Sequence, residues 1–250
     1  MSFIRSVHTF SGFFVFIVVF IVLFPLLSIP ILFPSQFKLT GIINRWWAKL
    51  LFTFIFIPFE VEERTQLDRN GVYIFCPNHF SYLDIPTMGL NPVNTIFVGK
   101  NAIEKIPLFG FMYRKLHITV DRLSLRSRGN TMIASMNAID QGKSLVIYPE
   151  GGIITHHPPT MVAFKDGAFR TAIEKQIAIV PVTIPHNWKI LPDQNPLSLR
   201  FGKVKVIFHE PVETKGMRLS DVDELKHKVF QIIDHELKQQ NSLSAVSSHS

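Results

Sequence analysis

A histidine and an aspartate stand five residues apart where an apolar stretch of the sequence ends. The stretch VYIFCP is followed directly by NHFSYLD, which contains His79 and Asp84. On one helix a five-residue step turns the chain by about 140°, so the two side chains would not share a face. A strand, a loop and a helix start suit this spacing better, because the aspartate can reach back to the imidazole. Such a pair can accept and return a proton.

A second polar segment, YPEGG at residues 148–152, also follows an apolar stretch, SLVI. Its carboxylate is Glu150, and Gly151 and Gly152 follow. Glycine lets a substrate approach the backbone and use its amide groups. Both polar segments are predicted to follow strands, which is where α/β proteins place their ligands.

Three cations lie between the two polar segments, in the stretches VGKNAIEKIPLFG and ITVDR. They are Lys100, Lys105 and Arg122. Cations near strand ends can bind a phosphate group, so we predict that these three side chains contribute to substrate binding.

Other familiar chemical sites are missing from the sequence. The segment QGKS at residues 141–144 lacks the earlier glycine of a phosphate loop, and neither G-x-G-x-x-G nor G-x-S-x-G occurs. His156 and His157 have no ligand partners at metal spacing, and Cys76 is the single cysteine. We therefore expect no metal and no resident cofactor, and we place Cys76 in the core.

The composition indicates an anionic partner and a membrane. Of 250 residues, 47% are hydrophobic and 23 are phenylalanine, while the net charge is +7. A basic and apolar chain favours lipid headgroups, nucleic acid or a phosphorylated substrate. Because the basic residues are scattered and are not interleaved with aromatic ones, we expect no nucleic acid partner.

The first 60 residues are predicted to anchor the protein in a membrane. Residues 9–36 contain no charge, which exceeds the roughly 20 residues needed to cross a bilayer. The stretch is too long for a signal peptide, and no cleavage site follows it. We expect Pro25 and Pro30 to kink or end the helix. A second apolar stretch, residues 42–59, is predicted to form either a second span or a helix lying in the membrane interface, so that the anchor is a membrane helix or a helical hairpin.

From residue 61 to residue 240 we predict one catalytic α/β domain, followed by a disordered tail at residues 241–250. Helical patterns alternate with short apolar stretches, for example a helix at residues 127–141 and another at 219–240. Six stretches are predicted strands: GVYIFC, TIFVGK, HITVDR, SLVIYPE, IAIVPVTI and VKVIFHEP. This alternation favours a largely buried sheet flanked by helices.

The order NHFSYLD, GKNAIEKIPLFG…VDR, YPEGG, VPVTI resembles the four sequence blocks of the membrane glycerolipid acyltransferases. The chain is most similar to the 1-acylglycerol-3-phosphate (lysophosphatidic acid) acyltransferase group, over roughly residues 72–211. His79 and Asp84 match the H-x-x-x-x-D motif fully. Residues 148–151 match the third block, and residues 179–184 match the fourth.

The resemblance implies a mixed β-sheet with flanking helices and an acyl transfer from acyl-CoA or acyl carrier protein to a lipid hydroxyl. His79 is then the general base, and Asp84 holds its tautomer. Donors near Asn78 or at Gly151 and Gly152 would stabilise the oxyanion, and Glu150 would orient the acceptor's hydroxyls. Membrane lipids would be partners, with the catalytic domain on the cytoplasmic face.

One departure concerns the acceptor. The third block of the family usually continues with threonine, arginine and serine, where this chain has Gly152, Ile153 and Ile154. In the family that arginine is thought to bind the acceptor's phosphate. Either Lys100, Arg122 or Lys165 compensates, or the acceptor is a lyso-aminolipid or another lipid without a glycerol phosphate.

Two further classes of protein compete with this interpretation. A non-enzymatic membrane adaptor would explain the apolar start and the charge, but it would not need four ordered blocks. A lipid hydrolase would need a nucleophile elbow, which the sequence lacks. Ser81 lies within the first block, where we interpret it as a turn residue.

Overall fold

A seven-stranded sheet forms the centre of the protein, in a computed structural model that describes residues 3–121 and 124–246. The strands are β1 (Phe59–Glu63), β2 (Ile74–Pro77), β3 (Thr95–Lys100), β4 (Ile118–Val120), β5 (Ser144–Ile147), β6 (Ile179–Thr183) and β7 (Val204–Phe208). Their order across the sheet is β1-β7-β6-β2-β5-β3-β4. Only the β6–β7 pair within it is antiparallel. The predicted α/β fold with a mixed sheet is confirmed, and all six predicted stretches contain strands.

β1 is the strand that the sequence analysis did not predict. It pairs in parallel with β7, with Phe59 opposite Val204 and Glu63 opposite Phe208. Its residues FEVEE are partly exposed because β1 lies at the edge of the sheet. An edge strand tolerates polar residues, which made this segment resemble a linker. The boundary predicted after residue 60 therefore falls inside a strand.

In the part of the chain that the structure describes, eight α-helices pack around the sheet. They are α1 (Phe3–Leu32), α2 (Lys38–Phe54), α3 (Asp84–Gly89), α4 (Phe109–Leu116), α5 (Leu125–Asp140), α6 (Gly167–Lys175), α7 (Asn187–Ile190) and α8 (Val222–Val246). The helix predicted at residues 127–141 begins two residues earlier, because the Ser124 side chain accepts a hydrogen bond from the Ser127 amide and caps it.

The last helix differs from its prediction at both ends. A 3-10 turn at Leu219–Asp221 precedes it, and α8 then continues through Val246. Residues 241–246, which we predicted to be part of a disordered tail, are therefore helical. Residues 247–250 of that tail lie outside the described residues.

α1 runs through Pro25 and Pro30 without a break. Neither proline ends the helix, which was one of the two effects that we expected. One side of α1 packs on α2 and α4, where Phe20, Leu23 and Leu27 are buried. The other side exposes large apolar side chains, among them Phe10, Phe14, Ile21, Val22, Leu26 and Leu32. At residues 5–32 the helix is long and apolar enough to cross a bilayer.

Successive side chains of β2 point to opposite faces of the sheet, and each face packs against its own apolar layer. Ile74 and Cys76 pack with side chains of α5, α6 and α8, whereas Phe75 packs on the opposite layer with Phe208. Both layers are fully buried at the sheet, which holds the carboxyl ends of β2 and β5 rigidly side by side. The two polar segments of the sequence leave the sheet at these ends.

Glu150 joins the loops that follow β2 and β5. Its Oε1 accepts a hydrogen bond from the His79 amide at 2.7 Å, and its Oε2 accepts one from the Val162 amide at 3.1 Å. The side chain is fully buried. Burial raises the pKa of Glu150 from 4.5 to about 7, although the two amide bonds lower it and the Asp84 charge adds to the rise.

We predict that Glu150 makes the stability of this protein decrease as the pH rises. Between pH 4.5 and 7 the folded state binds a proton at Glu150 more tightly than the unfolded state does, so the free energy of unfolding falls there. The contribution is about 3 kcal/mol. Denaturant unfolding across this range should show that decrease in the wild type and lose it in Glu150→Gln. Exposed Glu174→Gln should follow the wild type, and a Glu150→Gln curve parallel to the wild type would contradict the prediction.

Candidate active site

The His79 imidazole and the Asp84 carboxylate form a buried hydrogen-bonded pair. His79 lies in the loop after β2, and Asp84 is the first residue of α3. The distance from His79 Nδ1 to Asp84 Oδ2 is 3.0 Å. A turn closed by the Asp84 amide on the Ser81 carbonyl brings the carboxylate back to the ring. The predicted arrangement of strand, loop and helix start is the observed one.

The Asp84 carboxylate is fully buried and receives hydrogen bonds at both oxygens. Besides the imidazole, Oδ2 accepts the backbone amides of Phe80 at 2.8 Å and Ser81 at 2.9 Å. Oδ1 accepts the side-chain amide of Asn187 at 3.0 Å. These donors satisfy both oxygens of a carboxylate whose burial without partners would cost several kcal/mol.

Tyr148 packs against the face of the imidazole. Its ring stacks on His79 with 4.0 Å between the ring centres, and its hydroxyl donates to the Asp84 carbonyl at 3.0 Å. Burial, the Asp84 charge and Tyr113 raise the pKa of Tyr148 well above its ordinary value, so the phenol stays neutral. With Nδ1–H directed at Asp84, the lone pair of His79 lies on Nε2, which can act as a base.

Ser81 is a turn residue, as the sequence suggested. Its hydroxyl donates to the Leu191 carbonyl at 2.6 Å and accepts the Leu83 amide at 3.1 Å. The side chain is fully buried. Its hydroxyl is therefore occupied by the loop and does not contact the imidazole.

Two residues predicted to bind substrate hold the loops together instead. The Asn78 side chain donates to the Ile184 carbonyl at 3.0 Å and accepts the Ile184 amide at 2.7 Å. Asn78 and Glu150 are both fully buried, and both carboxylate oxygens of Glu150 accept backbone amides. Side chains enclosed in this way are occupied by backbone partners, so we infer positioning roles for these two residues, while their contact with an acceptor lipid stays a prediction.

The glycines after β5 form a tight turn. Gly151 has a φ of 85°, and its amide donates to the Tyr148 carbonyl at 3.0 Å, so that amide is not directed at a substrate as we expected. Gly152 is partly exposed. The exposed Lys165 extends across Gly151, where an added Cβ would collide with its Cε. A cation thus lies beside the third sequence block.

The structure describes two of the three other cations that we predicted to bind substrate. Lys100 is the last residue of β3 and is exposed, as is Lys105 in the 3-10 turn Asn101–Lys105 that follows. β3 is the neighbour of β5 and lies two strands from β2. Lys100 is therefore at the same carboxyl-terminal end of the sheet as the His79–Asp84 pair, but not beside it. Arg122 lies outside the described residues.

An apolar cavity of about 530 Å³ extends along α1 and reaches the residues just before α3. Tyr82, Leu83 and Leu191 line it near the first block, although His79 itself is not in its wall. On α1 the lining continues from Thr9 to Leu27, which spans about 27 Å along the helix. Its described lining contains no Asp, Glu, Lys or Arg. Burial lowers the pKa of His117 in the wall to about 3, so that ring is uncharged.

Within residues 3–121 and 124–246, no group of three or more His, Cys, Asp or Glu side chains is arranged to hold a metal ion. The His79–Asp84 pair can transfer a proton beside an apolar cavity. An imidazole held at Nδ1 by a carboxylate suits the activation of a hydroxyl group at Nε2.

Asn187 is the part of the site that the sequence analysis missed. It begins the four-residue helix α7, 103 positions after Asp84. The fourth block, VPVTI, ends just before it, and this proximity was the available signal. A lone asparagine after a strand is more often a turn residue, so its contact with Asp84 depends on the tertiary fold.

Several known proteins are similar to this chain. A chloroplastic 1-acyl-sn-glycerol-3-phosphate acyltransferase of Arabidopsis thaliana is 30% identical over 72% of this chain and 50% of its own length. The enzyme of that name from Haemophilus influenzae is 28% identical over 74% of this chain and 76% of its own length. The chain spans about half the length of the plant and algal relatives it matches.

The fold has a counterpart in a solved structure. The crystal structure of the 1-acyl-sn-glycerophosphate acyltransferase PlsC from Thermotoga maritima superposes with a TM-score of 0.75. The superposition covers 95% of this chain and 98% of the other, at 22% identity. Residues 58–185, just over half of the chain, match the acyltransferase family. This matched segment includes His79, Asp84 and the YPEGG turn, and the chain belongs to the acyltransferase family.

Proposed function

We propose that the protein transfers a fatty acyl chain from a thioester to the free hydroxyl of a lysolipid. The observation that carries this proposal is the His79–Asp84 pair next to a long apolar cavity, with no hydrogen bond to His79 Nε2 from the residues that the structure describes. The acceptor that the named relatives favour is 1-acylglycerol-3-phosphate, which would give phosphatidic acid. The acyl donor is acyl-CoA or acyl carrier protein.

In the proposed reaction, His79 Nε2 takes the proton of the acceptor hydroxyl as its oxygen attacks the thioester carbonyl carbon. The tetrahedral intermediate then collapses, the carbon–sulfur bond breaks, and the imidazolium returns the proton to the leaving thiolate. Asp84 stays ionised throughout and stabilises the imidazolium. No acyl-enzyme is needed, which agrees with the buried and occupied Ser81 hydroxyl.

The apolar cavity suits a fatty acyl chain. The wall along α1 spans about 27 Å, while one leaflet of a roughly 30 Å hydrocarbon core holds chains about 15 Å long. Cavities of a few hundred Å³ with apolar walls are typical of small-ligand sites. A neutral His117 and the absence of charged lining residues among those described keep the cavity apolar.

A membrane location follows from the same substrates. Extracting a lipid chain into water costs about 0.8 kcal/mol per methylene, so the acceptor must reach the site from the bilayer. The exposed apolar side of α1 supports embedding in the membrane, and α2 packs along α1 as in a hairpin. Lys38, Arg45 and Lys49 follow α1 while Arg5 precedes it, which favours a catalytic domain on the cytoplasmic face.

We expect His79→Ala to lower the rate of acyl transfer by about 10²–10⁴-fold, because a general base contributes that much. The measurement is transfer of a radiolabelled acyl chain to lysophosphatidic acid by purified protein in detergent. His227→Ala, an exposed histidine on α8, is the matched control and should keep wild-type turnover. Equal turnover in His79→Ala and the wild type would contradict the mechanism.

Lys165 is the cation beside the YPEGG turn, so we expect it to recognise the acceptor's phosphate. Lys165→Ala should raise KM about three- to tenfold for a phosphorylated lysolipid and leave KM for a neutral monoacylglycerol unchanged. The exposed Lys215→Ala is the control. An unchanged KM for the phosphorylated acceptor would favour the alternative acceptor, a lyso-aminolipid or another lipid without phosphate, which Ile153 already suggests.

Leu27 is buried in the cavity wall, at the opposite end of the α1 lining from Thr9. Leu27→Phe should fill that end of the cavity and lower kcat/KM for long acyl donors more than for short ones. The adjacent Leu26 is half-exposed, and Leu26→Phe should leave the chain-length profile unchanged. Competition between donors of two lengths gives the ratio directly, and an identical ratio in Leu27→Phe and the wild type would place the acyl chain elsewhere.

A further inference from the structure

The Asp84 carboxylate depends on Asn187 for one of its two oxygens. Oδ2 accepts three hydrogen bonds, from His79 Nδ1 and the amides of Phe80 and Ser81. Oδ1 accepts the Asn187 side-chain amide at 3.0 Å. Both residues are almost completely buried, so water does not replace this donor. A charged oxygen in such a place needs a partner.

The orientation of the Asn187 amide follows from the carboxylate. Its Nδ2 donates both to Asp84 Oδ1 and, at 2.8 Å, to Thr87 Oγ1, whose own hydroxyl donates to the Leu83 carbonyl at 2.7 Å. Turning the amide over would place its carbonyl oxygen against the carboxylate. Among the residues that the structure describes, its Oδ1 has no partner. The side chain thus leaves its own acceptor unused in order to donate to Asp84.

We propose that Asn187 is a positioning residue that holds the Asp84 carboxylate in its orientation toward the imidazole. This inference rests on the proposed acyltransferase function. Asn187 acts through Asp84, since its hydrogen bonds go to Asp84 and Thr87. It fixes the plane of the carboxylate, which directs Oδ2 to Nδ1 and leaves Nε2 as the base.

The inference predicts how the reaction responds to pH. A hydrogen bond to the ionised carboxylate lowers the proton affinity of the His–Asp pair, so its loss raises that affinity. The titratable groups facing Asp84 are His79, Tyr148 and Glu150, and every variant below keeps them. On α7, the Lys189 ammonium lies 5.3 Å from the Trp188 ring centre and is also kept.

The experiment compares the pH profiles of kcat/KM for Asn187→Leu, Asn187→Asp and the wild type. Asn187→Leu keeps the size of the side chain and removes the donor, whereas Asn187→Asp replaces it with an acceptor. We expect kcat to fall about 10–100-fold, KM for the acyl donor to stay within about twofold, and the acid limb to move about one pH unit upward.

Thr87→Val is the matched control, because it removes the other acceptor of Asn187 Nδ2 and leaves the bond to Asp84 in place. Its unfolding temperature should fall, while its acid limb should stay at the wild-type pH. A merely structural role for Asn187 would instead lower the unfolding temperature in all three variants and move the acid limb in none.

The outcomes separate this inference from the proposed function. Absence of transfer by the wild type would overturn the function itself. Transfer by the wild type, with its loss in His79→Ala but an unmoved acid limb in both Asn187 variants, would overturn only the role of Asn187. If Asn187→Leu does not fold, Asn187→Asp carries the test, and failure of both to fold would assign Asn187 to structure alone.

Discussion

The site depends on supplying enough hydrogen-bond donors to one fully buried carboxylate. Asp84 has no exposed surface, and its charge is stabilised by four donors: an imidazole, two backbone amides and the Asn187 side chain. Three of these donors come from consecutive residues of the loop after β2, and the fourth comes from the start of α7, 103 positions after Asp84. The fold must therefore hold the loop after β2, the start of α3 and the start of α7 together before the imidazole can act as a base.

The carboxyl-terminal ends of the same strands account for the positions of the other polar residues. Asn78 ties the end of β2 to Ile184, and Glu150 ties the loop after β5 to His79 and Val162. The apolar cavity begins at α3, which follows β2, and continues along α1, whose outer side is apolar and exposed. The cavity reaches the first sequence block at Tyr82 and Leu83, which lie between His79 and Asp84 in the sequence.

Much of this arrangement could be predicted from the sequence. The His79–Asp84 pair and six strands were recognisable because local spacing and apolar alternation determine them. β1 was missed because an edge strand with three glutamates resembles a linker. Asn78 and Glu150 were assigned to the substrate, since a polar residue after a strand looks the same whether it is exposed or enclosed. Asn187 meets Asp84 across 103 residues, and only the tertiary fold brings them together.

The most direct test is the tautomer of the His79 ring in the folded protein. Long-range ¹H–¹⁵N correlation spectra of ¹⁵N-histidine-labelled protein in detergent, assigned with His79→Ala, report which ring nitrogen carries the proton. Because Nδ1 lies 3.0 Å from Asp84 Oδ2, we expect a protonated Nδ1 and an unprotonated Nε2 above the titration of the ring. A neutral ring with its proton on Nε2 would contradict a base held by Asp84.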